Sequence, residues 1–366
     1  MPEPVTPVTP FQAEVAAPAP VPPAAVPCRP ADAALGPPAW VQSFLDDGPV
    51  DVTVCIASWN CRELLRACLE SLHDQPQGVR VETVVVDNAS TDGAADMVAR
   101  DFPEVDLVRN PTNRGFARAN NQAARRARGR YLFFLNNDTV VPAGTLRRLL
   151  DYAEAHPEVG MLGPRLRDGD GQTQVSYRQR PGMTTLLHRT MLLRWTGLLR
   201  RAYLRYRRQE FDPERTRPVE VLMGAAMFLR RDLFFRCGAW DEDFTFGGED
   251  LDLSLRVGRV QPLVYHPSVE ITHYGRVSTR QHIGYASSHM MIGFARYLRK
   301  SGCPAWALLA YKLLVTLDAP LQLAGKAVQY GWRRARGQQA KAEKSLLALR
   351  GLGHFLRWGL AEFWRA

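Results

Sequence analysis

Short apolar runs and amphipathic stretches alternate through the middle of the chain. Val52 to Ala57 and Val81 to Val86 are rich in β-branched residues and too short for helices. Between them Leu64, Leu65, Cys68, Leu69 and Leu72 recur at helical spacing; a second helix is predicted over Gly93 to Arg100, then a third short strand at Val105 to Val108. Asn113-Arg114-Gly115 leads into a helix with Phe116, Ala119 and Ala123 on one side. Tyr131 to Leu135 is apolar at every position, which suits a strand buried on both faces of a parallel sheet. Strands alternating with helices in this way predict an α/β fold with a mostly parallel central sheet, flanking helices and right-handed crossovers.

The polar residues fall where these runs stop. Asn60, Asp87 and Asp138 each stand just past the end of a different strand, so a parallel sheet puts all three on one edge, where ligands bind in open α/β sheets. Asn136-Asn137-Asp138 is an oxygen-only group of the kind that suits a hard cation such as Mg²⁺ or Mn²⁺. The plainer reading is a strand-to-helix turn in which these residues cap the next helix, and Asn60 is likewise placed to cap the helix after the first strand. Neither G-x-G-x-x-G nor a P-loop occurs in this part of the chain, so a nucleotide held here would be gripped by carboxylates and a metal.

Thr145 to Ala155 reads as a helix and Val159 to Leu162 as a strand. From about Gln172 to Arg217 the rhythm is lost, and Arg194, Arg200, Arg201, Arg205, Arg207 and Arg208 collect; this is an acceptor-side loop or helical insert, or a solvated basic face. Gly224-Ala225-Ala226 permits close approach of backbone to a ligand, and Arg230 to Cys237 reads as a helix closed by Gly238. After Gly247-Gly248, the acids Glu249, Asp250 and Asp252 crowd the first turn of a helix. Capping and the helix dipole explain acids there, but three within four residues also repel one another, which raises at least one pKa and favours a general base. Val269 to Gly275 is a last strand carrying His273.

Composition narrows the picture less. The 366 residues are 46% hydrophobic and 23% charged, as in an ordinary globular protein of one large domain with additions, or two domains. Residues 1–49 are rich in Pro and Ala and read as a disordered tail. Residues 1 to 30 lack a basic segment and a continuous apolar core, so no signal peptide is expected. The six cysteines have neither zinc-site nor disulfide spacing and read as buried thiols of a cytoplasmic protein. The net charge of +10 equals the excess of 13 basic over 3 acidic residues in 281–366 alone. A basic nucleic-acid-binding protein is the alternative class, but neither a helix-turn-helix nor an RNA-recognition signature is present.

Taken together, Ser58-Trp59-Asn60, Val85 to Asp92, Asn113 to Ala117, Leu135 to Thr139, Gly224 to Ala226, Trp240 to Leu253 and Thr272-His273 resemble, in order, the inverting nucleotide-sugar glycosyltransferases of family 2, in particular the rhamnosyltransferase-like branch. The likeness runs from about Val52 to Thr279. It implies the GT-A fold over 50–280, followed by a helical extension over 281–366. It also implies a dTDP-, UDP- or GDP-sugar donor, a glycan or lipid-linked glycan acceptor, and Mg²⁺ or Mn²⁺ as cofactor. By position, Asp87 would contact the base of the nucleotide, while Ser58, Asn60, Arg114, Asn136 and Asn137 would line its pocket. Asp138 and His273 would hold the metal, Asp250 would be the catalytic base, and Glu249 stands beside it. Asp250 and His273 also argue against a fold that binds nucleotide sugar without turnover.

The extension leaves two readings open. After Ile283 no run reaches the ~18 to 20 apolar residues needed to span a bilayer, since Lys312, Asp318 and Pro320 interrupt the one beginning at Trp306. Leu346, Leu349, Leu352, Leu356, Leu360 and Phe363 form one helical stripe, with Lys344, Arg350, Arg357 and Arg365 largely off it and Trp358 and Trp364 nearby. That stripe either lies in the plane of an anionic leaflet, which would place 303–366 on the inner face of the plasma membrane, or packs on the catalytic domain.

Overall fold

A computed structural model describes residues 50–73, 78–207, 212–275 and 283–366; the tail expected over 1–49, together with Arg208 and Thr279, lies outside them. The strands and helices run, in order, β1 (Val52–Ser58), α1 (Arg62–His73), β2 (Val81–Asp87), α2 (Ala94–Asp101), β3 (Asp106–Arg109), α3 (Phe116–Arg126), β4 (Tyr131–Leu135), β5 (Thr139–Val140), α4 (Thr145–Ala155) and β6 (Met161–Arg167). Next come β7 (Tyr177–Arg178), α5 (Met183–His188), α6 (Met191–Thr196), α7 (Arg200–Arg207), β8 (Arg217–Val219), β9 (Val221–Leu222), β10 (Ala226–Arg230), α8 (Arg231–Arg236), α9 (Glu249–Gly258) and β11 (Leu263–His273). The C-terminal layer is α10 (Ile283–Lys300), α11 (Ala305–Ala335), α12 (Gln339–His354), a π-helical turn at Phe355–Gly359 and α13 (Leu360–Arg365).

The nine-stranded sheet has the order β3-β2-β1-β4-β10-β6-β11-β5, with β8 paired to β11. β1, β2, β3 and β4 are mutually parallel, as are β6 and β11. β4 shows why the alternation was readable: Tyr131, Phe133 and Leu135 enter one core with Leu65, Leu69 and Leu146 of α1 and α4, while Leu132 and Phe134 enter the other with Ala119, Ala123 and Trp240. Small residues on α3 let that helix lie close against the sheet.

β10 is the reversed strand, antiparallel to both β4 and β6. Its reversal matters for the site. With Ala226 opposite Leu135, the residues that precede β10 lie at the edge where β4 ends. β11 runs longer than expected, from Leu263, because a register shift between His266 and Glu270 absorbs Pro267, Ser268 and Val269 without breaking the strand. The segment without rhythm is a helical insert of three short helices, α5, α6 and α7.

In the C-terminal layer four of the six residues of the expected stripe face inward. Leu352, Leu356, Leu360 and Phe363 pack with Leu186, Ile292, Leu298 and Val315. Lys312, Asp318 and Pro320 do not interrupt α11, a continuous helix of 31 residues; it is the one described helix long and apolar enough by composition to cross a bilayer.

Candidate active site

Each polar residue at the sheet edge is held by a neighbouring strand end. Ser58 Oγ accepts a hydrogen bond from Asn137 Nδ2 at 3.1 Å, joining the ends of β1 and β4. Asp87 is buried; its Oδ2 accepts the Ser90 N–H at 3.0 Å, while its Oδ1 is buried without a hydrogen-bond partner among the described residues. An orphaned carboxylate oxygen costs stability unless an N–H donor arrives. Next to it Asn88 Oδ1 accepts from Asn110 Nδ2 at 2.9 Å and from the Arg114 N–H at 3.4 Å, so Arg114 is fixed by its backbone while its side chain is exposed.

Asn60 is not a helix cap. Its Oδ1 accepts from the Thr91 N–H at 2.8 Å and its own N–H donates to Ser90 Oγ at 3.0 Å, which ties the end of β1 to the loop after β2; the cap of α1 is Asp92, whose Oδ2 accepts the Arg62 N–H at 2.8 Å. Asn60 holds φ at 51°, a left-handed conformation that Asn tolerates better than most residues.

The second cluster joins β5 to β11. The Tyr274 N–H donates to the Asp138 carbonyl at 2.9 Å, so the last strand delivers His273 beside the polar triplet. His273 Nε2 lies 3.3 Å from Asp138 Oδ1 and 3.3 Å from Asn136 Nδ2. Gln174 decides the tautomer. Its Nε2 donates to the His273 carbonyl at 2.7 Å, which turns its Oε1 onto His273 Nδ1 at 3.0 Å. Nδ1 is therefore the donor, and in the neutral ring Nε2 is an acceptor that takes the Asn136 Nδ2 hydrogen bond and stands beside a buried carboxylate oxygen that has no hydrogen bond of its own. Two acceptors facing one another fit a cation between them, and the N/O donor pair suits Mn²⁺ or Mg²⁺ filled out by oxygen ligands. No third His, Cys, Asp or Glu joins them among the described residues.

The third cluster is the acidic turn. Gly247 and Gly248 take φ of 79° and 100°, which lets the chain reverse into α9. Asp250 is buried; its Oδ1 accepts the Leu251 N–H at 2.9 Å and its Oδ2 accepts Arg178 Nη2 from β7 at 2.6 Å. Burial, and then the charge of Asp250, push the Glu249 carboxyl up to about 8. Asp252 does not belong to this pair. Arg256, one turn along, donates from Nε and Nη2 to its Oδ2 at 2.8 and 2.6 Å on the packed side of α9, so the repulsion is between two acids, not three.

The turn before β10 links the clusters. Ala225 O accepts the Asn136 N–H at 3.0 Å, and a Cβ at Gly224 would stand 3.5 Å from Asp250 Cβ. Ser58, Asn136, Asn137, Asp138 and His273 thus form one contact chain, and Gly224-Ala225 carries it to Asp250. Arg178 and Gln174 leave no signal in the sequence: both lie in the stretch without periodicity, and only their tertiary partners, Asp250 and His273, show what they face. Of the five described cysteines, Cys55, Cys61 and Cys68 are buried and Cys237 and Cys303 partly exposed, all unpaired.

Residues 53–236 match the family model for glycosyl transferase family 2, and the chain belongs to that family. It is 31% identical over 217 residues to the N-acetylglucosaminyl-diphospho-decaprenol L-rhamnosyltransferase of Mycobacterium tuberculosis, spanning 54% of this chain and 68% of that one. It is 29% identical over 220 residues to the O-antigen biosynthesis protein RfbC of Myxococcus xanthus, but there covers 16% of the longer protein. Among solved structures, the mannosyltransferase PcManGT of Pyrobaculum calidifontis, in complex with GDP-Man and Mn²⁺, superposes with a TM-score of 0.50 at 20% identity over 89% of this chain and 93% of its own. GalNAc-T7 with UDP, GalNAc and Mn²⁺ gives 0.50 at 16% identity over 68% and 48%. These likenesses place the fold with the GT-A glycosyltransferases.

Proposed function

We propose that this glycosyltransferase moves a hexose, rhamnose or a similar sugar, with inversion from a nucleoside-diphosphate donor to a glycan or lipid-linked glycan acceptor in cell-surface polysaccharide synthesis. The observation that carries the reading is the contact chain from Asp138 and His273 through Gly224-Ala225 to Asp250, which sets the facing Asp138–His273 pair and the Asp250 carboxylate on one edge of the sheet. The rhamnosyltransferase relative, named for a diphospho-decaprenol substrate, supports the donor sugar and the lipid-linked acceptor.

In this mechanism Asp250 takes the proton of the acceptor hydroxyl as its oxygen bonds to the anomeric carbon, and the bond from that carbon to the diphosphate oxygen breaks with its electron pair leaving on the nucleotide. Arg178 orients the Asp250 carboxylate. Asp87 offers its unpartnered Oδ1 to an N–H of the base, with Ser58, Asn60, Arg114, Asn136 and Asn137 around the nucleotide. Asp138 and His273 would hold Mg²⁺ or Mn²⁺, whose charge stabilises a departing diphosphate. The basic segment 303–366 brings the enzyme to the inner face of the plasma membrane, where a lipid-linked acceptor is carried.

The test is a panel of dTDP-, UDP- and GDP-sugars scored for release of nucleoside diphosphate with and without Mn²⁺. Release from none of them, or equal release in EDTA, would overturn the donor or the metal part of the reading.

A further inference from the structure

α11 is an amphipathic helix turned inside out. Trp306, Leu309, Leu313, Leu317, Leu321 and Val328 recur at steps of three, four and seven and are all exposed, Trp306 at 75% and Val328 at 73%. From 305 to 332 every exposed residue except Gln329 is apolar or glycine. Two of the three charges of the same stretch point inward, Lys326 at the margin being the third: Lys312 Nζ donates to the Trp364 carbonyl at 2.9 Å, and the carboxylate of Asp318, 1% exposed, accepts the N–H groups of Met191 and Leu192 at 2.8 and 2.9 Å. Water selects the opposite arrangement, and an apolar face this long marks an interaction site.

The Asp318 contact also fixes what lies beside the helix. It anchors the start of α6, and α6 presents Trp195, 87% exposed, next to α11. A cleft of about 230 Å³ between them is lined by Arg194, Trp195, Gln322, Lys326 and Gln329, and neither Arg194 nor Lys326 has an ion pair among the described residues. Residues 183–207 hold six arginines and no acid. At the far end of α11, Arg336 lies 4.1 Å from the ring of Trp332.

We infer that this composite face of α11 and α6 is the surface by which the protein lies on a bilayer with anionic headgroups, the helix flat in the leaflet and Arg194 and Lys326 at headgroup phosphates. This rests on the proposed membrane site of action but replaces the inward-packed stripe of α12 and α13 with a different element. Apolar residues, tryptophans at both ends and unpaired cations at the margin are the composition that an interfacial helix requires. A spanning orientation does not fit, because one side of α11 from Ala307 to Ala319 packs on the protein through Ala307, Tyr311, Val315 and Ala319 and carries the buried Lys312 and Asp318.

The test uses the full-length chain with vesicles of phosphatidylcholine alone or mixed with phosphatidylglycerol, with tryptophan quenching by lipids brominated in the acyl chains as the readout. Binding should require phosphatidylglycerol at low salt, brominated chains should quench, and the double variant Leu313→Glu, Leu317→Glu should bind about 100-fold more weakly or worse while hydrolysing donor at the wild-type rate. Vesicle binding that the double variant retains would overturn the assignment of the face and leave the membrane reading intact. Wild-type protein that ignores the vesicles overturns both. In that case a dimer that the double variant converts to monomer makes the face a contact between copies. Donor hydrolysis, measured on the same samples, reports separately on the catalytic reading.

Discussion

The guanidinium of Arg178 lies 2.6 Å from Oδ2 of Asp250, joining the two-residue strand β7 to the first turn of α9. It leaves the second lone pair of that oxygen free, so the contact aims the carboxylate instead of blocking it. Arg178→Ala should lower kcat about 10- to 100-fold with little change in donor KM, and Arg178→Lys, which keeps the charge but loses the planar fork, should restore part of the loss. A rise in KM at constant kcat would make Arg178 a substrate-binding residue.

Metal dependence should track the facing pair His273 and Asp138. Asp138→Ala should abolish metal-dependent transfer, and His273→Ala should weaken it. Gln174→Ala, which frees the His273 tautomer, should cost about 10- to 100-fold in Mn²⁺ affinity by direct titration. Near wild-type activity of Asp138→Ala in EDTA would rule this metal site out.

The two acids of the turn should separate by isosteric substitution. Asp250→Asn keeps the backbone contact to Leu251 but accepts no proton, so turnover should fall about 10²-fold or more while nucleotide-sugar binding persists. Glu249→Gln should keep most of the turnover. The reverse result would make Glu249 the base.

Glu249 should also give stability a pH dependence. Its carboxyl, at 4.5 when solvated, is pushed up to about 8 by burial and by Asp250. The folded chain therefore holds that proton more tightly than the unfolded one. Its contribution to stability is complete below about 4.5 and is lost as the pH rises through about 8. Glu249→Gln carries no such proton, so between pH 5 and pH 8.5 the Tm of the wild type should fall by about 3 °C or more relative to the variant. Parallel curves by calorimetry would show that Glu249 titrates normally.

How far the sequence reached depends on the range of the interactions involved. The strands β1, β2 and β4, the helix α4 and the C′ glycine Gly238 were legible because burial on both faces, helical spacing and a left-handed φ leave marks within a few residues. The roles of Arg178 and Gln174 were not, since each is defined by a partner 72 or 99 residues away. Asn60 resembles a cap because its type and position fit one; the competing partner, the loop at Ser90 and Thr91, comes from the next strand. α11 is obscured because charges in a row of leucines read as interruptions, and only tertiary contacts show that Lys312 and Asp318 are the inner face.

Gly293 sits where α10 crosses the acidic turn. A Cβ there would collide with the carbonyl oxygen of Gly247, a backbone atom that cannot swing aside as a side chain would. The turn already holds Gly247 and Gly248 at positive φ, so a push there is transmitted to the first residues of α9, Glu249 and Asp250. Gly293→Ala should therefore cost about 1–3 kcal/mol of stability and about 10-fold or more in kcat, although the residue lies outside the stretch that matches the family model. Gly353→Ala is the control. A Cβ at that position meets nothing within 4 Å, and replacing glycine in a helix should leave kcat unchanged and raise stability by about 0.5–1 kcal/mol. If Gly293→Ala lowers Tm but leaves kcat at the wild-type value, α10 supports the fold without setting the geometry of the acids.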